Sequence, residues 1–575
     1  MILVILNWLY IGMTTFLTGL SILSLFTRFT HIKTKRLITP FFAGLVFVTV
    51  YSQAFSLFCG VGLLANGILT AISVLVIFVQ HNEITSYFQN MRKEKTKYDY
   101  IAATVLLVLF AYGTSRGYIH FDTGLYHAQS IRWVEEYGVV PGLANLHVRF
   151  GYNSAAFPLT ALYSMAFLIG QSLHTTAGYI ALLSAFLALD IKHVWIDKKV
   201  CLSDFARIGL IFYLSVIFSQ MVSPASDYYA QLLIYDVVIL WLDQTERDRA
   251  SKDEKLYGPY ALILFLLVCA VTIKFSVAPM LLLVVLPAAL MIREKKWKEI
   301  AVSISTGVLI LFPFLARNVI ICGWLIYPST AVDLFSVDWK VSKGMAQYDA
   351  LEIGVYGKGL NDVVKADTPF IQWVVPWFEN LKTLEKLWIL CSILALLLGV
   401  GYLLYQLGRC ILKRKNIQQE VFDTDFALVF ITVAVSTIFW FVSAPLIRYG
   451  YAYITLLPLL CFGYFSLRFV QKRSVNLQKY MRLAFSICLM GFLLTRVKGV
   501  TSDIARTWKQ DYYMTQEDYP DGEAFTYEID GVTIYVPTES GQIGYYKFPS
   551  SPVIQNIELR GDSLKDGFRQ KGESK

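Results

Sequence analysis

Two carboxylates, three cations and a histidine-rich stretch are the residues of this sequence whose types and spacing could do chemistry. The segment SRGYIHFDTGLYHAQSIRWVEEYGVVPGLANLHVRFGYNS, residues 115–154, holds Asp122, Tyr126, His127, Asn145, His147 and Arg149. Of the seven histidines, His120, His127, His147 and His174 fall in or beside it, which concentrates groups that bind polar ligands or move protons. A second acid, Asp227, stands in SPASDYYAQ, a tight turn that needs no charge. Lys274 in TIKFSVAP, Arg317 with Asn318 in LARNVIICGWLIYP, and Arg448 in SAPLIRYGYAY put cations at the ends of apolar runs. A carboxylate can take the proton of a hydroxyl, and a guanidinium fork matches phosphate geometry. Together they suit transfer of a group from a phosphate leaving group to a hydroxyl acceptor. Each residue also has a plain structural role open to it. The two acids can cap helices, worth about 1 kcal/mol each, and the cations can snorkel to an interface.

What must position these residues is a set of apolar helices. Of 575 residues, 56% are hydrophobic and 16% charged, against about a quarter charged in soluble chains. Runs of about 17–25 apolar residues recur throughout, each long enough as a helix to cross a hydrocarbon core. Only helices and closed barrels satisfy their backbone groups there. Taking Lys/Arg-rich loops as cytoplasmic, the sequence predicts an all-α polytopic membrane protein of about fourteen spans. They fall near 2–26, 37–57, 61–80, 98–114, 175–196, 203–222, 229–244, 258–274, 277–292, 299–316, 386–408, 424–444, 449–468 and 480–497. The first is a permanent helix rather than a cleaved signal, because its basic cluster (Arg28, Lys33, Lys35, Arg36) follows it. Lys413, Arg414, Lys415, Lys472 and Arg473 mark later cytoplasmic loops. Counting 155–170 as a span would put Lys192, Lys198, Lys199 and Arg207 outside, so that stretch is predicted to be a juxtamembrane helix with Pro158 near its start.

This places both termini outside and divides the chain into a transmembrane domain, 1–497, with outer loops 115–154 and 317–385, and an extracytoplasmic C-terminal segment, 498–575. Within 123–137, Leu125, Ala128, Ile131 and Val134 recur at helical spacing, which predicts an amphipathic helix lying on the membrane surface with Asp122 at its start. In the tail, FTYEIDGVTIYV predicts a β-hairpin turning at Asp530-Gly531. The net charge of +9 sits between apolar runs and reads as topology, so no nucleic-acid partner is expected. Most of the eight cysteines lie in apolar runs and give no disulfide framework. There is no Walker loop, zincin motif, Cys-x-x-Cys or nucleophile-elbow motif to support a nucleotide-driven or hydrolytic engine.

The pattern resembles the GT-C superfamily of membrane glycosyltransferases, in which the first long outer loop opens with an acid beside an amphipathic helix and a second acid lies in a later outer turn. The corresponding pieces are Asp122 in FDTGLYH, the Pro158 helix, Asp227 in SPASDYY, and ARN followed by GWLIYP. FDTGLYH, GLANLHVRFGYNS and the closing IELRGDSLKDGF further resemble a bacterial family of GT-C-like membrane proteins without an assigned activity. The chain departs from the superfamily pattern in having three helices before the acid-bearing loop and a lone Asp in place of an acidic pair, which weakens the case for a divalent metal.

The resemblance implies a plasma-membrane transferase that takes a sugar from a polyprenyl-phosphate-linked donor to a glycan or lipid acceptor, with no cofactor required. Asp122 is expected to act on the acceptor hydroxyl and Asp227 to support it. Lys274, Arg317 and Arg448 would neutralise the leaving phosphate, and Tyr126, His127, Asn145, His147, Arg149 and Asn318 would line the substrate site. Two other readings stand beside it. One is a polysaccharide polymerase or ligase of the lipid-linked glycan pathway. The other is a transporter or lipid flippase, for which Asp190 and Asp236 are the nearest mid-membrane acids, and which the lack of a twofold repeat disfavours.

Overall fold

The computed structural model describes residues 1–30, 37–251, 256–412, 423–471, 475–538 and 541–572. Of the basic residues used above to set topology, Lys33, Lys35, Arg36, Lys413, Arg414, Lys415, Lys472 and Arg473 lie outside the described residues.

The chain is mostly helical. Among the described residues, nine helices are long and apolar enough to cross a membrane, or ten if a bent pair counts as one. All nine fall on apolar runs picked out from the sequence. The remaining expected spans take other forms. Leu63–Val79 (α3) turns by 81° into His81–Glu94 (α4), a charged helix without a buried residue. Thr39–Ser56 (α2), Leu202–Val216, Ser226–Ser251 and Tyr257–Ile273 are shorter or more polar than the nine. The polarity of Ser226–Ser251 has a packing cause. Residues 228–242 of this helix are buried, and its polar groups find partners inside the bundle. Gln231 Nε2 donates to the Tyr449 carbonyl at 2.7 Å, and Asp236 accepts from Ser184 Oγ at 2.7 Å.

Ile2–Thr30 (α1) and α2 cross at van der Waals contact of their backbones. A Cβ on Gly44 would lie 1.7 Å from the Thr15 carbonyl oxygen, and one on Gly19 1.8 Å from that of Pro40. Residues 155–170 form the eight-residue helix Ala156–Tyr163 and the four-residue turn Ala166–Ile169, far below the roughly 20 residues a crossing needs. The first of these is wholly buried.

Lys97–Ser115 (α5) leads into the acid-bearing loop. There a π-helical turn, Thr123–His127, continues as Ala128–Glu136 (α6). The helix is amphipathic as expected, but it does not lie on an open surface. Ala128, Ile131 and Trp133 are fully buried, and the polar side is roofed by the C-terminal segment. Gln129 Nε2 donates to the Gly544 and Lys547 carbonyls at 2.9 and 3.0 Å, and Arg132 Nη1 to those of Tyr545 and Tyr546 at 2.9 and 2.8 Å.

That segment begins later than expected, because its preceding helix runs from Val475 to Thr507. Ala524–Ile529 (β1) and Val532–Pro537 (β2) pair antiparallel with Ile529 opposite Val532. Asp530 and Gly531 both take positive φ, 48° and 83°, the two-residue turn that suits the twist of a hairpin. Ile557–Leu559 (β3) and Phe568–Gln570 (β4) form a second small pair, which pins the loop: Phe568 N–H donates to the Pro141 carbonyl at 3.0 Å. The chain's first residues reach the same side, where the N–H groups of Ile2 and Leu3 donate to the Tyr513 and Met514 carbonyls at 2.9 Å each.

Candidate functional site

Arg448 is the centre of the site, and helix ends account for its position. It is the second residue of the Ile447–Gln471 helix, where the helix dipole disfavours a cation. Two carboxylates offset that cost. Its Nη2 donates to Asp122 Oδ2 at 2.6 Å, and its Nε lies 3.3 Å from Asp227 Oδ2. Asp227 is in the first turn of Ser226–Ser251, a favourable place for an acid, and pairs with the Lys274 ammonium. Lys274 ends the Tyr257–Ile273 helix, where a cation is favoured, and stacks over the Tyr449 ring at 3.5 Å. Asp122 precedes the π-helical turn but makes no side-chain cap, so its carboxylate faces the cations.

Around Asp122 the loop supplies further charge. Arg149 Nη1 lies 3.9 Å from Asp122 Oδ1, and its Nη2 lies 3.9 Å from Glu352 Oε1. His120 Nδ1 accepts the Asp122 backbone N–H at 3.1 Å, and its Nε2 contacts Arg448 Nη1. Burial and then the Arg448 charge push the His120 imidazole down. Burial alone would raise the Asp122 carboxyl, but Arg448, with the two histidines beside it, outweighs burial and holds it at about 2. The acids and Arg448 are mostly shielded, with side chains 14, 9 and 24% exposed for Asp122, Asp227 and Arg448.

The other sequence-derived candidates divide. Tyr126 and His127 form the buried floor: their rings meet edge to face at 4.4 Å. Burial pushes the Tyr126 phenol well up and the His127 imidazole down to about 3, so both are neutral hydrogen-bonding groups. Asn145 and His147 form none of these ion pairs, although the Arg149 charge acts on His147. Asn145 Nδ2 donates to the Trp339 carbonyl at 2.9 Å, tying the loop to residues 317–385. His147 packs edge to face on Phe150, and burial takes its imidazole down to about 3. Arg317 and Asn318 are also not brought to Arg448. The helix predicted over 299–316 runs on from Trp297 to Cys322, and its last turns bury both residues. Arg317 donates to Asn153 and Ser56, and Asn318 Nδ2 to the Leu325 carbonyl at 2.8 Å, closing the turn after the helix.

His120, Tyr449 and Glu352 are the site residues that sequence reasoning did not select. His120 carried a signal, lying two residues from Asp122. Glu352 is one acid among several in residues 317–385 and carried none.

Elsewhere, His193, Cys201 and Asp204 approach one another closely enough to hold a metal ion. The Asp204 carboxylate already accepts from Arg207 at 3.1 Å and from His193 at 2.9 Å, so a cation occupies the place a metal would need. A cavity of about 1050 Å³ lies among α1, α4, α5 and the Thr176–Ala188 helix, with Lys95, Asp99 and Lys192 in its lining. These residues belong to the end of α5 opposite Ser115, away from Asp122.

The family described as "Domain of unknown function (DUF8201)" matches residues 1–455, a range that contains Asp122, Arg149, Asp227, Lys274, Glu352 and Arg448. No curated protein and no solved structure matches the chain.

Proposed function

The chain belongs to the DUF8201 family, and from the chemistry of its site we propose that it is an integral-membrane glycosyltransferase of GT-C type, using a polyprenyl-phosphate-linked sugar for cell-surface glycan or glycolipid assembly. The nine long apolar helices support the membrane reading, as do large apolar side chains left exposed along them, such as Leu309, Phe312, Leu397, Leu404 and Leu494. A water-soluble surface rarely carries so extended an apolar patch. With the shorter inner helices also crossing, the count is about fourteen, and the side bearing residues 115–154 is extracytoplasmic.

One observation carries the activity: a single guanidinium, Arg448, is shared by two carboxylates from distant segments, Asp122 and Asp227. Independent helix caps and snorkelling cations have no cause to converge. A transferase does, because base and phosphate-binding cations must flank one anomeric carbon. The π-helical turn directly after Asp122 fits this, as such turns are frequent at functional sites.

In the free protein the cations are occupied by the acids. A donor phosphate engages Arg448, Lys274 and Arg149, and as Arg448 turns to it the Asp122 carboxylate loses the charge that holds it at about 2. It then becomes basic enough to accept the acceptor's proton. The hydroxyl oxygen forms a bond to the anomeric carbon, the bond from that carbon to the phosphate oxygen breaks, and the polyprenyl phosphate leaves with the electron pair, inverting the anomeric centre. Asp227 keeps Lys274 and Arg448 aligned.

The test is a transfer assay with purified protein and lipid-linked sugars. Asp122→Asn should lower the rate by about 100-fold or more. Unchanged activity removes Asp122 from the mechanism. Gradient-driven solute uptake by proteoliposomes in place of transfer replaces the reading with a transporter.

A further inference from the structure

Arg317 is a buried cation without an anion. It is 3% exposed, and the partners of its Nε and Nη1 are neutral: Asn153 Oδ1 at 2.9 Å and Ser56 Oγ. Both partners are themselves held, Asn153 Nδ2 by the Phe314 carbonyl at 2.9 Å and Ser56 Oγ by that of Gln53 at 2.6 Å. Among the described residues no carboxylate pairs with Arg317. A guanidinium stripped of water with no counter-charge is costly, and among the described residues two neutral oxygens accept from it.

Beside it lies a small cavity of about 20 Å³, room for roughly one water-sized sphere. Ser130 and Trp133 line the same cavity. Their Oγ and Nε1 are buried and without a hydrogen-bond partner, and an indole nitrogen can only donate. The rest of the wall is largely apolar, with Val134, Phe157 and Ile321 among it, and no acidic side chain lines it. One cavity therefore gathers a cation and two idle polar groups, one of them a donor only, and offers no negative charge. A water there would satisfy donors but leave the charge uncompensated.

We propose that this cavity binds one monatomic halide, chloride under cellular conditions, held by Arg317, Trp133 and Ser130. The ion joins three parts of the chain, one of which is the loop that carries Asp122. α2 is reached through Ser56, the acid-bearing loop through Ser130, Trp133 and Asn153, and the Trp297–Cys322 helix through Arg317. The inference does not rest on the glycosyltransferase reading.

The experiment compares the melting temperature of the detergent-purified full chain in chloride or bromide with that in isethionate at equal ionic strength. The halides should give a saturable rise on the order of 3 °C, and crystals grown in bromide should show an anomalous peak beside Arg317. Arg317→Gln should abolish the rise. Because that change removes a charge the fold is built around, Trp133→Phe, which deletes one N–H donor, serves beside it and should shrink the rise by at least half. Equal melting in all three salts, a bromide map without a peak in this cavity, or a full chloride rise in Trp133→Phe overturns the proposal.

Discussion

Arg448 holds two carboxylates at once, so its removal should show in both stability and rate. Arg448→Met leaves Asp122 with the His120 ring and the more distant Arg149 and should cost about 3 kcal/mol, the usual consequence of breaking a mostly buried pair. Adding Asp122→Asn should recover part of that loss, and a double-mutant cycle read by thermal unfolding measures the coupling. Acid sensitivity has a different origin. His127, His147 and His174 are buried as neutral rings, with burial lowering them from 6.5 to about 3, 3 and 4. Below pH 6.5 the unfolded chain takes up protons that the folded chain refuses, so stability falls as pH drops, by about 1.4 kcal/mol per histidine for each unit below 6.5 until the folded value is reached. The Asp122 carboxylate adds its loss only between its ordinary value near 3.8 and about 2. A melting temperature that falls steadily from pH 6.5 to 4.5 is expected, and a flat profile there removes the buried neutral histidines. At this scale the sequence showed Asp122, Asp227, Lys274 and Arg448, because charges at the ends of apolar runs stand out. The same signal picked Arg317, and nothing local distinguished a helix ending at 316 from one ending at Cys322.

Elements carry the same lesson through packing. Hydropathy located the nine long helices because their lipid-sized apolar runs are continuous, and it also picked out 229–244, but it could not say that Ser226–Ser251 hides its Gln, Asp and Tyr groups against partners far away in sequence. The roof over α6 was equally invisible. Its periodicity reports an apolar stripe but cannot say that residues 541–551, more than 400 positions later, cover the other side. The contact between α1 and α2 is testable. Close backbone approach at small residues is how helices associate in lipid, and a Cβ on Gly44 would meet the Thr15 carbonyl at 1.7 Å. Gly44→Val should therefore push the helices apart and lower the melting temperature by several degrees, with loss of the monodisperse species in size-exclusion chromatography. Gly67, whose Cβ would meet nothing, is the control, and Gly67→Ala should leave both readouts unchanged.

For the whole molecule, the arrangement of ends fixes what a topology experiment must find. The N-terminal ammonium donates to the Tyr512 carbonyl at 2.7 Å, the roof of the loop comes from the C-terminal segment, and Asp122 lies under the same assembly. These parts share one side whichever way the chain is inserted. Lys192, Lys198 and Lys199 belong to the opposite end, since α5 carries Asp99, which pairs with Lys192, at one end and leads into the Asp122 loop at the other. Basic residues gather on the cytoplasmic side, so the proposed orientation is with the loop and both termini outside. An impermeant maleimide should thus label Asp562→Cys in intact cells, above the background of the native cysteines, and should reach Lys198→Cys only after permeabilisation. The reverse pattern would turn the acid–arginine site to the cytoplasm. There a nucleotide sugar could reach it, and the argument for a lipid-linked donor would lose its reason, because that donor is what an enzyme needs where nucleotide sugars are absent. Topology is for this reason the measurement that bears on substrate class before any sugar has been identified.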